Sequence, residues 1–207
     1  MIDIAIIFGI GYLLGSLPYG FILVKIFKHK DIRKIGSKNI GATNVLRAGY
    51  TWLAVATLLA DAFKGFLAVM IVKYMIFMNL FITPDIAFAA LAGLSAIIGH
   101  MFPIWLKFKG GKGVATSYGT ILAISPILGI IILLVWLVVA ALSKYSSLAA
   151  LISFASLPIA TYFLAPNLQL FMAIITLMVF LKHKENIKRL LKGTETKIKF
   201  RKINETK

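Results

Sequence analysis

The segment Gly110-Gly111-Lys112-Gly113 sets one lysine among three glycines. A backbone without Cβ atoms approaches an oxyanion closely, and the ammonium supplies charge, so this is a phosphate cradle in principle. Lys107 and Lys109 lie on the approach, and Gly113 is placed to open the next helix with its positive dipole end toward the turn. It is not a Walker loop, because Leu106 stands where the first glycine is required and neither Gly113 nor Val114 after Lys112 supplies a Mg²⁺-binding hydroxyl. A second segment gathers Gly36, Ser37, Asn39, Gly41, Thr43 and Asn44 beside Arg47. Small residues, hydroxyls and amides around a fixed positive charge can wrap backbone N–H groups about an anion, or start a helix capped by Thr43 or Asn44. The third segment carries His183, Glu185, Asn186 and Arg189; helical spacing puts His183 and Asn186 on one side, with Arg189 adjacent to Asn186 and Glu185. His183 is the best-placed titratable base, with His29 and His100 open as alternatives. Each segment also has an ordinary reading: a flexible turn, caps at a span edge, and a basic amphipathic stretch on an anionic membrane.

These residues must be positioned by membrane helices. The 207 residues are 60% hydrophobic and 14% charged, contain no cysteine, and have a mean hydropathy of +0.92, which excludes a soluble globular enzyme and any thiolate chemistry. Apolar runs extend to Phe27 and over 51–78, 85–106, 113–142 and 147–181, each long enough for a span of about 20 residues. The first lacks a cationic leader and reads as a retained span. The last two are interrupted at Pro126, Pro158 and Pro166, so crossings built from shorter helices in series are expected. Of 23 Lys and Arg, seven lie in 25–47, three in 107–112 and ten in 182–207. The positive-inside rule then makes those three segments cytoplasmic and puts the N-terminus, the 79–85 loop and the 143–147 turn outside. Asp61 and Lys64 share a helical face about 15 Å into the second span, where charges are expected to pair or line a wet cavity. Gly11 and Gly15 read as close helix packing.

Taken together, 35–47, Gly99-His100 with 107–116, and 183–190 resemble the three cytoplasmic motifs of the PlsY family, bacterial acyl-phosphate:glycerol-3-phosphate acyltransferases. Asp61-Ala62-Phe63-Lys64-Gly65 is similar to that family's second-span signature, and the resemblance runs from about Leu14 to Gly193. It implies that residues 1–207 form one all-α transmembrane acyltransferase domain of about seven helices, some short or broken, with the N-terminus outside and the C-terminus cytoplasmic. It further implies transfer of a fatty acyl group from acyl phosphate to the 1-hydroxyl of glycerol 3-phosphate, giving lysophosphatidate and phosphate in the bacterial inner membrane. By resemblance, Ser37, Arg47, His183 and Asn186 are catalytic. Asn39, Gly41, Thr43, Asn44, Lys107, Gly110, Gly111, Lys112, Gly113, Glu185 and Arg189 bind substrate or phosphate, with Asp61, Lys64 and His100 as support. No cofactor, metal or nucleic acid is implied. The expected partners are the two substrates, membrane lipid, and a phosphate acyltransferase supplying acyl phosphate.

The chemistry suits the residues. An acyl phosphate is a mixed anhydride whose leaving group departs as a stable anion, so positioning and charge stabilisation suffice without a covalent intermediate. The His and Asp five positions apart that mark other glycerolipid acyltransferases are missing: Trp105 follows His100 at that distance and Lys188 follows His183. A small transporter or an insertase-like protein would share the apolar spans and the basic loops, but gives no reason for glycines and amides clustered in three loops.

Overall fold

Proline divides the apolar runs, because it lacks an N–H and disfavours the helical conformation in the residue before it. The computed structural model describes residues 2–80 and 85–198, and among them all regular structure is helical. Leu17-Pro18 separates α1 (Ile2–Ser16) from α2 (Tyr19–Lys28). A six-residue α3 (Ala42–Arg47) precedes α4 (Thr51–Phe77) and α5 (Ile86–Met101). The extended Ser125 separates α6 (Val114–Ile124) from α7 (Pro126–Ser143), with Pro126 at the first turn of α7, where its missing N–H costs nothing. Then come α8 (Ser146–Leu164), which contains Pro158, α9 (Gln169–Lys182) and α10 (Lys184–Leu191).

Five segments are long and apolar enough to cross a membrane: Ile4–Lys28, Thr51–Phe77, Ile86–Leu106, Pro126–Ser143 and Ser146–Leu164. α9 supplies a sixth apolar rod, and α10 bends away from it by 61°. The shorter apolar α6, about 16 Å long, is the seventh rod. Many large apolar side chains, such as Leu134, Leu137, Val138 and Leu142 of α7, remain on the outside, as lipid rather than protein covers them.

One expectation is corrected. The 143–147 turn lies at the same end of the bundle as the three basic segments: Ser146 Oγ is 3.2 Å from Thr43 Oγ1, and the Ile198 N–H donates to the Lys144 carbonyl at 2.7 Å. The run 113–142 therefore leaves and returns. The chain reverses at Ser125-Pro126, so that α6 packs on α4 while α7 packs on α8.

Glycine sets the closest approaches. Gly11 lies against Ala92 and Gly15 against Ala96, so α1 and α5 run side by side in the same direction. A Cβ on Gly15 would stand 2.0 Å from the Ala96 carbonyl oxygen. Gly15→Leu is expected to cost about 2–3 kcal/mol through overpacking, checked as a lower thermal midpoint in detergent. Lysines hold the helix ends: Lys64 Nζ donates to the Leu17 carbonyl at the α1–α2 break, Lys73 to Ala123 near the end of α6, and Lys182 to Met101 at the end of α5.

Candidate active site

Where the basic segments meet, a cavity of about 370 Å³ opens between α3, α4, α6, α7 and α8. One end is polar, with Ser37, Asn39, Thr43, Arg47, Lys112, His183 and Asn186 on its wall. The other is an apolar slot of Val55 and Leu58 from α4, Tyr118 from α6, and Leu133 and Trp136 from α7. Val55, Leu58 and Leu133 are also exposed on the outer surface, so the slot opens sideways toward lipid. Arg47 Nε and Trp136 Nε1 are buried without a hydrogen-bond partner among the described residues, and both belong to cavity-lining side chains.

The loop before α4 is shaped from within by Asn44. Its Oδ1 accepts the Ser37 N–H at 2.8 Å, and its Nδ2 donates to the carbonyls of Ile32, Ile35 and Asn39. Gly41, not Thr43 or Asn44, occupies the N-cap of α3, without a side-chain cap. Asn44 thus holds the loop, and the capping expectation is corrected: its amide is occupied by four backbone groups. Asn39 Oδ1 accepts the Gly41 N–H, tightening the same turn.

The glycine turn is fastened to the end of α5. The Gly110 N–H donates to the Met101 carbonyl and the Gly111 N–H to the His100 carbonyl. Those two amides are therefore unavailable to an anion, and the cradle expected from three glycines shrinks to Lys112, Gly113 and the first turn of α6, whose N–H groups have no intrahelical acceptor. Gly113 has φ +81, a left-handed conformation that favours glycine. The His100 ring packs on Gly111, where a Cβ would meet Nε2 at 2.0 Å. His100 Nδ1 is in turn 3.5 Å from Asp61 Oδ1, which Lys64 Nζ holds at 2.8 Å. Asp61 and His100 line the cavity wall; Lys64, bonded to Leu17, stays in the helix packing.

The tail supplies the electrostatic centre. Glu195, whose side chain is 2% exposed, accepts from Arg189 Nε at 2.7 Å and Asn186 Nδ2 at 3.0 Å, with Arg47 Nη2 at 3.6 Å. Asn186 Oδ1 accepts from Lys112 Nζ, and Arg47 also donates to the Thr196 carbonyl at 2.6 Å. Burial lowers the Lys112 pKa to about 8; the charge of Glu195 opposes this, and those of Arg189 and Arg47 add to it. Burial, reinforced by Lys112, pulls His183 down to about 4 against the hydrogen bond to Val179 and the charge of Glu195. The neutral imidazole lies 2.8 Å from the Val179 carbonyl through Nδ1, which assigns the proton to Nδ1 and leaves a lone pair on Nε2.

The structure thus brings Ser37, Asn39, Gly41, Thr43, Asn44, Arg47, Asp61, His100, Lys112, Gly113, His183 and Asn186 to one cavity, with Arg189 joined through Glu195. Lys107 and Gly110 line a different basin, and Gly111 is packed beneath His100. Glu185 is exposed and paired with Lys188 at 3.3 Å, on the solvent side of α10, because only one face of that short helix meets the bundle. Sequence reasoning missed Glu195, Ser146, Ser147 and Trp136. The only signal for Glu195 is an acid in a basic tail of a chain with seven Asp and Glu. Among the described residues, no three His, Cys, Asp or Glu side chains gather where they could hold a metal ion.

Fold and cavity together define an integral membrane protein with a site for an amphiphile, its charged end in a basic bowl and its apolar end toward lipid. The sequence profile described as Glycerol-3-phosphate acyltransferase matches residues 5–193. A Glycerol-3-phosphate acyltransferase of Mesorhizobium japonicum (strain LMG 29417 / CECT 9101 / MAFF 303099) is 49% identical over 196 residues, covering 94% of this chain and 95% of the relative. The crystal structure of PlsY (YgiH), an integral membrane glycerol 3-phosphate acyltransferase, in its glycerol 3-phosphate form superposes with a TM-score of 0.84 at 33% identity, covering 95% of this chain and 96% of that one. Its lysophosphatidic acid form gives 0.81 at 32% identity, with 94% of each chain covered. The chain belongs to this glycerol-3-phosphate acyltransferase family, the PlsY family, and is a membrane acyltransferase acting on glycerol 3-phosphate.

Proposed function

We propose that the acyl donor is an acyl phosphate and that the product is lysophosphatidate, formed on the cytoplasmic side of the bacterial inner membrane. The observation that carries this reading is the continuity of the bowl of Arg47 and Lys112 with a slot open to lipid: it suits a donor whose phosphate is polar and whose chain is greasy. The glycerol 3-phosphate and lysophosphatidic acid forms of the PlsY structure carry a polar substrate and an amphiphile of the same kinds. The three basic segments at one end of the bundle support the cytoplasmic orientation through the positive-inside rule.

In this reading the acyl chain enters between α4 and α7, and Lys112, Arg47 and the first turn of α6 hold the phosphates. Ser37, Asn39, Gly41 and Thr43 shape the mouth, and Asn186 holds Lys112 in place. The 1-hydroxyl attacks the acyl carbonyl; the new ester C–O bond forms as the bond between the acyl carbon and the phosphate oxygen breaks, and phosphate leaves with the electron pair. His183 Nε2 orients the hydroxyl by accepting its hydrogen bond. Pulled down to about 4, His183 is a weaker base than the phosphate dianion that leaves, so the departing phosphate takes the proton.

The test is purified protein in detergent with palmitoyl phosphate and glycerol 3-phosphate. Phosphate release requiring both supports the reading; equal turnover with acyl-CoA or acyl carrier protein as donor would overturn it. An acyl-Ser37 adduct trapped in a single turnover would sink direct attack. The pH dependence has a fixed sign. The ammonium form of Lys112 is the useful one, so kcat/KM falls as pH rises through about 8, and the neutral form of His183 is the useful one, so it falls as pH drops through about 4.

A further inference from the structure

The glycine turn is a partition. Lys112 and Gly113 face the cavity, whereas Lys107, Lys109 and Gly110 line an open basin of about 610 Å³ on the other side, completed by Arg33, Lys38, Ile40, Trp105 and Leu106. No residue lines both. The four cations come from two loops some seventy positions apart in the chain, and the acyl-transfer reading gives them no role.

Three features of the basin point to an anionic ligand. Lys38, Lys107 and Lys109 form no ion pair among the described residues. The nearby carboxylate of Asp31 is already held by the Arg33 guanidinium at 2.7–3.2 Å. Lys38 and Lys107 are placed by left-handed turns, at φ 60 and φ 53, the second closing the short helical turn Ile104–Leu106, so that two separate loops deliver both cations to one basin. A fourth feature points to lipid. Ile104, Trp105 and Phe108, beside the basin on the same loop, are each more than half exposed, and Trp105 is pinned to α1 by its Nε1–H donating to Ser16 Oγ at 2.8 Å. Exposed aromatic and aliphatic side chains beside uncompensated lysines belong at the headgroup level of a bilayer.

We propose that this basin binds the phosphate headgroup of an anionic membrane phospholipid, at a site separate from the acyl-transfer cavity. The proposal does not depend on the identity of the acyl donor. Charge at a membrane surface is worth roughly fivefold in affinity per lysine or arginine. Native mass spectrometry of the full chain in neutral detergent, titrated with dioleoyl phosphatidylglycerol and separately with dioleoyl phosphatidylcholine, reads the site. Lys38→Asn removes the charge while tolerating the left-handed backbone, and is expected to weaken phosphatidylglycerol binding about fivefold; adding Arg33→Gln weakens it about 25-fold. Phosphatidylcholine retention stays unchanged in both variants. Undiminished phosphatidylglycerol binding by the double variant overturns the proposal. So does displacement of the lipid by inorganic phosphate but not by chloride at equal ionic strength, which would make the basin a site for free phosphate.

Discussion

Lys112→Ala raises the KM for glycerol 3-phosphate by about 100-fold, because losing one partner of a desolvated, hydrogen-bonded charge pair costs about 2–5 kcal/mol and each 1.4 kcal/mol is a factor of ten. The geometry explains why the loss is not absorbed by neighbours. Lys112 Nζ is fixed by Asn186, and Asn186 is fixed by Glu195, so the ammonium is held toward the cavity before any anion arrives. Arg47 and Arg189 are already engaged by Glu195 and cannot move into the vacancy without leaving it. Steady-state kinetics separates this role from a structural one through the alkaline limb. Lys112→Arg, whose guanidinium does not titrate below pH 12, restores part of the affinity and abolishes the decline near pH 8. Persistence of that decline in Lys112→Arg would assign it to another group, and an unchanged KM in Lys112→Ala would remove the turn from the site.

The sequence shows where the site would be more readily than how it is held. Apolar runs of adequate length declare the spans, and Gly11 with Gly15 marks a close-packing face on the first one, whose partner α5 only the fold reveals. That the Ser37, Lys112 and His183 segments share one membrane side is legible from charge sorting; that they line one cavity is not. Nor is the reversal at Ser125-Pro126, since hydropathy reads 113–142 as one run and records nothing about chain direction within it. Asn44 looks like a cap, yet its amide closes the loop, because tertiary position decides which backbone groups lie within reach. Gly110 and Gly111 look like anion donors, yet the unpaired carbonyls at the end of α5 take their N–H groups first. Glu195 is hidden most completely: one of three acids in a lysine-rich tail, it reads as solvated surface until the tail folds back over α10.

Glu195→Ala is expected to destabilise the protein by about 1–3 kcal/mol, the cost of leaving the buried Asn186 donor and the half-buried cations without their acceptor. The carboxylate is the common acceptor for Arg189 and Asn186 and the counter-charge for Arg47 and Lys112; without it three cations face one another across the polar end of the cavity. Differential scanning fluorimetry in detergent reads the loss as a lower thermal midpoint. Transferase activity falls with it, since Asn186 no longer holds Lys112. The sign of a double replacement distinguishes orphaned charge from lost packing. Glu195→Ala with Arg189→Ala removes one of the stranded cations, so the pair is less destabilised than Glu195→Ala alone; a pure packing role predicts further loss instead. The same carboxylate contributes an acid limb to stability. Burial raises its pKa, but the hydrogen bond and charge of Arg189 and the hydrogen bond of Asn186 outweigh it and hold the folded-state pKa below the ordinary glutamate value. Its stabilisation is therefore fully present above the unfolded-state pKa and is lost as pH falls through the lower folded-state one. In Glu195→Gln that component of the acid-induced fall in the thermal midpoint disappears, while the stability at neutral pH is already reduced.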